Sequence, residues 1–211
     1  MPRSILIALA SAALFGLSTP LAKLLLAEVP PVALAGLLYL GSGIGLLAWR
    51  HVRGRLSRGH VAREAPLARA DWPWMAGAIL AGGVLAPALL MLGLDRTSGA
   101  TASLLLNLEG VFTALLAWFV FRENFDRRIA VGFALIAGGG VLLSWEGAPA
   151  GGLPLGALAI AAACLGWAID NNLTQRVSAS DPVQIAGIKG LIAGGVNLSL
   201  ALLTGWQPTA T

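Results

Sequence analysis

The chain has 211 residues, of which 57% are apolar and only 11% charged, against about 25% charged in a soluble domain. That balance excludes a soluble globular domain and a disordered chain, and a single cysteine excludes a disulfide scaffold. A net charge of +4 on a soluble protein would suggest nucleic acid; here lipid is the solvent, the basic residues mark the sides of a membrane, and no nucleic-acid partner is expected.

A helix of about 20 apolar residues crosses a bilayer core. Such stretches run over 4–26, 31–49, 73–94, 99–121, 128–145, 153–175 and 183–205. They predict an all-α polytopic membrane protein of about seven transmembrane helices. Arg3 precedes the first stretch as it would in a signal peptide. The apolar run is longer than the usual ~7–15 residues and no small-residue cleavage site follows, so the segment is expected to be retained. The Arg-rich connection over 50–71 reads as a solvated loop against anionic headgroups.

Orientation follows from the basic residues. With the N-terminus inside, Arg3, Arg50, Arg53, Arg55, Arg58, Arg63, Arg69, Arg122, Arg127, Arg128 and Arg176 all lie inside. Only Lys23 and Arg96 fall outside, and Lys189 lies within a span. This asymmetry predicts a cytoplasmic N-terminus in the plasma (inner) membrane and, with seven spans, an outer C-terminus for this chain. Trp49, Trp72, Trp74 and Trp118 near inner ends, and Trp145 and Trp206 near outer ends, fit interfacial belts. Trp167 alone lies deeper.

The chain repeats itself. Ala12, Ala13 and Gly16 fall on Ala162, Ala163 and Gly166 at an offset of 150 residues. The run PVALAGLLYL at 31–40 falls on PVQIAGIKGL at 182–191 at an offset of 151. Five spans separate the copies, so the second starts from the opposite side, as in an inverted-topology repeat. The expected division is residues 1–146 as a first five-helix repeat and residues 147–211 as the first two helices of a second.

Polar groups at membrane depth are costly and mark function. Asn107 and Glu109 sit near the centre of the fourth span, about 200° apart round the helix. Ser103, Asn107, Gly110 and Ala114 share one face, and Glu109 and Thr113 another. Glu109 reads as a proton carrier or a partner for a cationic or amino group; a structural hydrogen bond is the plainer alternative. The sixth span carries Asp170, Asn171, Asn172, Thr174 and Gln175, and the seventh carries Lys189. At about 1.5 Å per residue, Asp170 lies about 9 Å and Lys189 about 7 Å inside the midplane. They are therefore expected to pair, either as a latch that neutralises two buried charges or as a substrate or gating site. Gly41-x-x-x-Gly45 and Gly190-x-x-x-Gly194 have the spacing of close helix packing. Asn172-Leu-Thr174 and Asn197-Leu-Ser199 match the glycosylation pattern but lie in spans. No paired-Cys or His-Glu metal spacing stands out, nor any nucleophile with a base, so neither a cofactor nor enzymatic activity is expected.

Here the residues reach a known family. The stretch NLEGVFTALLAWFVFRENFDRRIAVGFALIAGGGVLL at 107–143, FGLSTPLAK at 15–23 and Gly166-Trp167 together resemble the EamA-type domain of the drug/metabolite transporter superfamily. The resemblance covers essentially the whole chain. It implies a secondary transporter that exports small metabolites, amino acids or related compounds, and is driven by protons or by the substrate gradient. It implies a central cavity between two inverted halves and no prosthetic group. That cavity would be lined from spans one, two, three, four, six and seven. The substrate or translocation candidates are then Asn107, Glu109, Thr113, Trp167, Asp170, Asn171 and Lys189. Glu123 is expected to cap a helix end or pair with Arg122, Arg127 or Arg128.

Two departures stand out. Gly110 replaces the family's usual proline in the fourth helix. Family members also have ten helices against seven here, so the chain is expected to be a C-terminally truncated copy that associates with itself or with a partner chain. Two other readings remain at this point. One is a non-transporting fragment or scaffold. The other is a seven-helix retinal-type protein with Lys189 in the last span, which the N-in orientation and the repeat argue against.

Overall fold

The computed structural model describes residues 3–56, 65–122, 127–146 and 155–207. Among these described residues there are seven helical rods, at the expected places. They are α1 (Arg3–Leu25), α2 (Pro31–Leu56), α3 (Arg69–Asp95), α4 (Gly99–Phe119), α5 (Arg127–Glu146), α6 (Leu155–Gln175) and α7 (Pro182–Leu203). Five of them, α1, α2, α3, α4 and α7, are each long and apolar enough to cross a bilayer alone. The α6 helix has the length but ends in the polar run Asp170 to Gln175. The apolar part of α5 that stands out by itself is Ala130–Gly139. In hydrocarbon only a helix satisfies every backbone group within one segment, so the apolar runs have no other spanning structure open to them. The architecture is that of an all-α polytopic membrane protein. Leu14, Leu24, Leu135 and Leu203 stand outward, each more than two-thirds exposed.

Local chemistry sets the ends. Ser98 starts α4 by accepting the Thr101 N–H at 3.1 Å. Asp181 starts α7 with Pro182 at the first position, its carboxylate accepting the N–H groups of Val183 (2.9 Å) and Gln184 (3.2 Å). Gly205, at φ +94°, closes α7. Lys23 donates to the last carbonyls of α3, at Leu94 and at Asp95 (3.2 Å), where a cation complements the helix dipole. At the other end, which gathers the arginines, Arg50 Nε lies 2.6 Å from Asp181 Oδ2. The Asp181 N–H also donates to Ala65 O at 3.0 Å. Arg176 lies over the rings of Trp74 and Phe121, at 5.8 and 5.3 Å. This basic end thus ties α2, α3, α4, α6 and α7 together. The Glu123 pairing, Arg58 and Arg63 lie outside the described residues, as does the Trp145 side chain.

Asp181 lends itself to a test. Burial works to raise its pKa, but the hydrogen bond from Arg50 and those from the Gln184 and Val183 amides outweigh it and hold the pKa below 3.8. A folded value below the unfolded one adds stability above about pH 4 that fades as the pH falls through the depressed value. Asp181→Ala is therefore expected to lower stability by about 1 kcal/mol, the usual cost of a lost N-cap. Asp181→Asn, which caps as well, is expected to lose only the smaller Arg50 contribution. Thermal melts at pH 7 and pH 3 check this: the gap between wild type and Asp181→Asn should be narrower at pH 3 than at pH 7.

Two rods are interrupted. In α3 the turn Ile79–Leu85 is π-helical, and the Ala86 N–H reaches back to Ala81 O. Pro87 follows and has no N–H to give. The carbonyls of Gly82 and Gly83 are left for side chains. In α4 the helix breaks between Gly99–Leu105 and Leu108–Phe119. Asn107 Nδ2 donates there to Leu104 O (3.0 Å) and Ser103 O (3.4 Å). The interruption falls at Leu106 and Asn107, ahead of Gly110.

The core runs between α3, α6 and α4, with α7 laid along α2. The α2–α7 seam is built on glycines. A Cβ on Gly36 would meet Leu198 N at 2.6 Å, and one on Gly190 would meet Gly43 Cα at 2.7 Å; Gly43 lies against Leu191, Gly194 against Leu40 and Gly187 against Leu47. Shifted by 151 residues, the contact of Gly36 with Leu198 becomes that of Gly187 with Leu47. The contact of Gly43 with Leu191 likewise becomes that of Gly194 with Leu40. Such exchanged pairs are what a two-fold axis through the seam produces. Of the two spaced glycine motifs, Gly190-x-x-x-Gly194 lies in this seam. Gly41 and Gly45 do not: nothing lies within 4 Å of a Cβ at either. The spacing was right for packing, but their side of α2 faces away from α7.

Candidate functional site

A cavity of about 300 Å³ lies among α1, α2, α3, α4 and α6. Phe15 and Thr19 face it from α1, Tyr39 from α2, Met91 from α3, Glu109 from α4 and Trp167 from α6. Its lining takes nothing from α7, contrary to the expectation drawn from the resemblance. Glu109 is the charged residue of the lining. The break in α4 places it in the first turn of the second helical segment, on the side that faces α6.

The expected site residues fall into separate groups. Glu109 and Thr113, one turn apart on α4, meet Asn171 of α6. Asn171 Nδ2 donates to Glu109 Oε1 at 2.9 Å and to Thr113 Oγ1 at 3.4 Å. Next to it Asn172, 3% exposed, donates to Thr113 O at 3.2 Å and Ala168 O at 2.8 Å. This ladder explains why α6 carries consecutive asparagines: each finds its partner on α4, where hydrocarbon would offer none. A carboxylate held by an amide, with a cavity beside it, can receive a cationic group or a proton.

Asp170 and Lys189 pair as their depths predict. Lys189 Nζ lies 2.5 Å from Asp170 Oδ1 and 2.6 Å from Oδ2, and Thr174 Oγ1 donates to Oδ1 at 2.8 Å. The pair sits outside the cavity lining, against Gly82 of α3. A Cβ on Gly82 would strike the Asp170 carboxylate. Asn107 belongs to neither group; its amide caps the first half of α4.

Tyr39 was missed by sequence reasoning, as were the residues round the π turn. Tyr39 Oη donates to Gly82 O at 3.0 Å, and Trp167 Nε1 to the same oxygen at 2.9 Å. Asn197, fully buried, donates to Gly83 O at 3.2 Å. Three side chains from α2, α6 and α7 thus satisfy the two carbonyls left by the π turn and Pro87. The available signal was Gly82-Gly83 followed by Pro87 inside an apolar span, the mark of an interrupted helix near a binding site.

Comparison with known proteins gives the family. Residues 2–145, more than half of the chain, match the EamA-like transporter family. An "Uncharacterized transporter" of Methanothermobacter thermautotrophicus is 32% identical over 202 residues, covering 90% of this chain and 59% of that protein. The chain thus spans about three-fifths of that relative's length. A "Probable 4-amino-4-deoxy-L-arabinose-phosphoundecaprenol flippase subunit ArnE" of Pseudomonas fluorescens is 40% identical over 87 residues, covering 41% of this chain and 74% of that one. A solved crystal structure superposes with a TM-score of 0.57 at 24% identity, covering 96% of this chain and 69% of that chain. At that identity it supports the fold alone. With its apolar spans and this family match, the chain is an integral membrane protein and belongs to the EamA-like transporter family.

Proposed function

We propose that the protein exports small amino-bearing metabolites, amino acids or related compounds, across the inner membrane, with its N-terminus in the cytoplasm and protons or the substrate gradient as the driving force. The observation that carries this is Glu109: a carboxylate on the cavity wall, held by Asn171 across the α4–α6 boundary. Glu109 receives the amino group or a proton, Asn171 and Thr113 orient it, and Trp167 supplies an aromatic wall for the substrate's body. Asp170 and Lys189 form a closed pair beside the path. Asn107 shapes α4 rather than touching cargo. The cargo named for the Pseudomonas relative is an amino sugar on a lipid phosphate, and an amino group is the chemistry that Glu109 accepts. That relative is named as a subunit, which supports association with a second copy or a partner chain. The 151-residue offset and the exchanged contacts of the α2–α7 seam support residues 1–146 and 147–211 as an inverted pair of repeats, the second represented by its first two helices.

Everted vesicles carrying the chain are expected to take up radiolabelled amino acids or amines. Glu109→Gln should cut uptake by about thirtyfold or more, the ~2 kcal/mol lower end of removing one partner from a buried charge pair. Its melting temperature should stay close to wild type. Uptake no different from empty vesicles, or unchanged by Glu109→Gln, would sink the proposal.

A further inference from the structure

We infer that the π turn of α3 is a hinge that opens the cavity toward the basic end, and that Tyr39 and Trp167 are the positioning residues that hold it shut. The inference rests on the transport reading above and says how occupancy of that cavity moves the helix.

The hinge is built from three features. The turn is wound with the wider π hydrogen bond at Ala86, and Pro87 keeps it from tightening into an α-turn, because it has no N–H for Gly83 O. Both flanks of the turn pack on α6: Gly77 meets Leu173 toward the basic end, and Gly93 meets Ile160 and Gly156 toward the other. Between them a Cβ on Gly166 would meet Ala81 O at 2.9 Å, and one on Gly82 would strike the Asp170 carboxylate. Glycine at 82 and 83 leaves the backbone free of side chains at the bend, so the two halves of α3 can pivot with little steric cost.

The link to cargo lies in the donors. Tyr39 Oη and Trp167 Nε1 both donate to Gly82 O, and both residues line the cavity. Trp167 Nε1 also lies 3.3 Å from Tyr39 Oη. A cargo molecule that draws either donor to itself takes a partner from Gly82 O. An unpaired carbonyl is costly in a membrane, and the N–H that a straight helix would give it, that of Ala86, is committed to Ala81 O. The carbonyl regains a partner by swinging toward the wet cavity, and that swing lifts Gly82 off Asp170. Beneath it sits the Asp170–Lys189 pair, which until then fills the space on the basic side. Asn197 keeps Gly83 O paired from α7 throughout, so the pivot falls between two adjacent carbonyls, one held by residues of the cavity wall and one held by α7.

The test reads accessibility and needs no cargo. Cys164 is the one cysteine of the chain, so Cys164→Ala gives a thiol-free background. Ala78, fully buried on the basic side of the turn, is changed by Ala78→Cys. The full chain in lipid vesicles is then treated with a membrane-impermeant thiosulfonate. Adding Tyr39→Phe with Trp167→Phe should label the introduced thiol at least about threefold faster, as expected when local opening is eased. Pro87→Ala, which restores an N–H at the bend, should slow labelling to below the parent rate. If the double aromatic variant does not fold, Pro87→Ala decides alone. Labelling rates equal to the parent in the folded variants overturn the hinge and mark Tyr39 and Trp167 as structural donors. Because Glu109→Gln uptake is measured separately, an unchanged labelling rate alongside lost uptake removes the hinge and leaves the transport reading standing.

Discussion

Gly43→Ala and Gly190→Ala are expected to destabilise the protein by about 1–3 kcal/mol each, the range for overpacking a tight contact. Gly41→Ala and Gly45→Ala, two residues either side of Gly43 on the same helix, are expected to be neutral or to stabilise by up to about 1 kcal/mol, the helix-propensity gain of Ala over Gly. The sign turns on what the new methyl meets. At Gly190 it meets the backbone of Gly43 at 2.7 Å, and at Gly43 the backbone of Leu191 and Gly190. Backbone cannot step aside, so the helices must separate along the whole seam. At Gly41 and Gly45 nothing lies within 4 Å. Gly187→Ala should fall between, because its methyl meets the side chain of Leu47 at 2.6 Å, and a leucine can change rotamer. Thermal unfolding of the full chain in detergent measures all five. Equal effects of Gly41→Ala and Gly43→Ala would mean that the α2–α7 seam does not carry the packing assigned to it.

Asp170→Asn is expected to cost more than Asp170→Asn combined with Lys189→Met. The single change leaves an ammonium, 17% exposed, with no carboxylate opposite, and breaking a buried pair from one side costs about 3–5 kcal/mol. The double change removes both charges and their desolvation, and it should recover most of the loss. Thr174 decides the remainder: its hydroxyl, 2.8 Å from Asp170 Oδ1, can still donate to the amide oxygen that the Asp170→Asn change leaves in that place. Melting temperatures of the two variants give the comparison. A double variant no more stable than the single one would show that the pair contributes no mutual neutralisation.

The candidate site was legible in part, and the pattern has a physical basis. The Asp170–Lys189 pair was readable because depth in a membrane is a one-dimensional quantity: rise per residue and the ends of the apolar runs place both groups on one level of consecutive helices. Glu109 and Thr113 were readable as one face of α4 because the helical period is local. That this face meets Asn171 was not readable, since the rotation of α4 about its own axis depends on what α6 presents to it. Asn107 seemed equivalent to Glu109 by depth. The break at Leu106 and Asn107 separates them, and it turns the Asn107 amide back onto its own helix. Tyr39, the single tyrosine of the chain, carried no local signal, because its partner is a carbonyl that exists as a free acceptor only once α3 adopts the π turn.

From the sequence alone came the solvent, the seven rods, the gathering of basic residues at one end and the 151-residue echo of α2 in α7. All of these follow from hydropathy, charge and residue order, which the bilayer reads along a single axis. Tertiary structure alone decided which glycines form the α2–α7 seam, where the cavity lies and which side chains answer the carbonyls of Gly82 and Gly83. Those outcomes depend on helix rotation and on close approach between segments far apart in the chain. In hydrocarbon, every backbone group left without a partner in its own helix must find one on another.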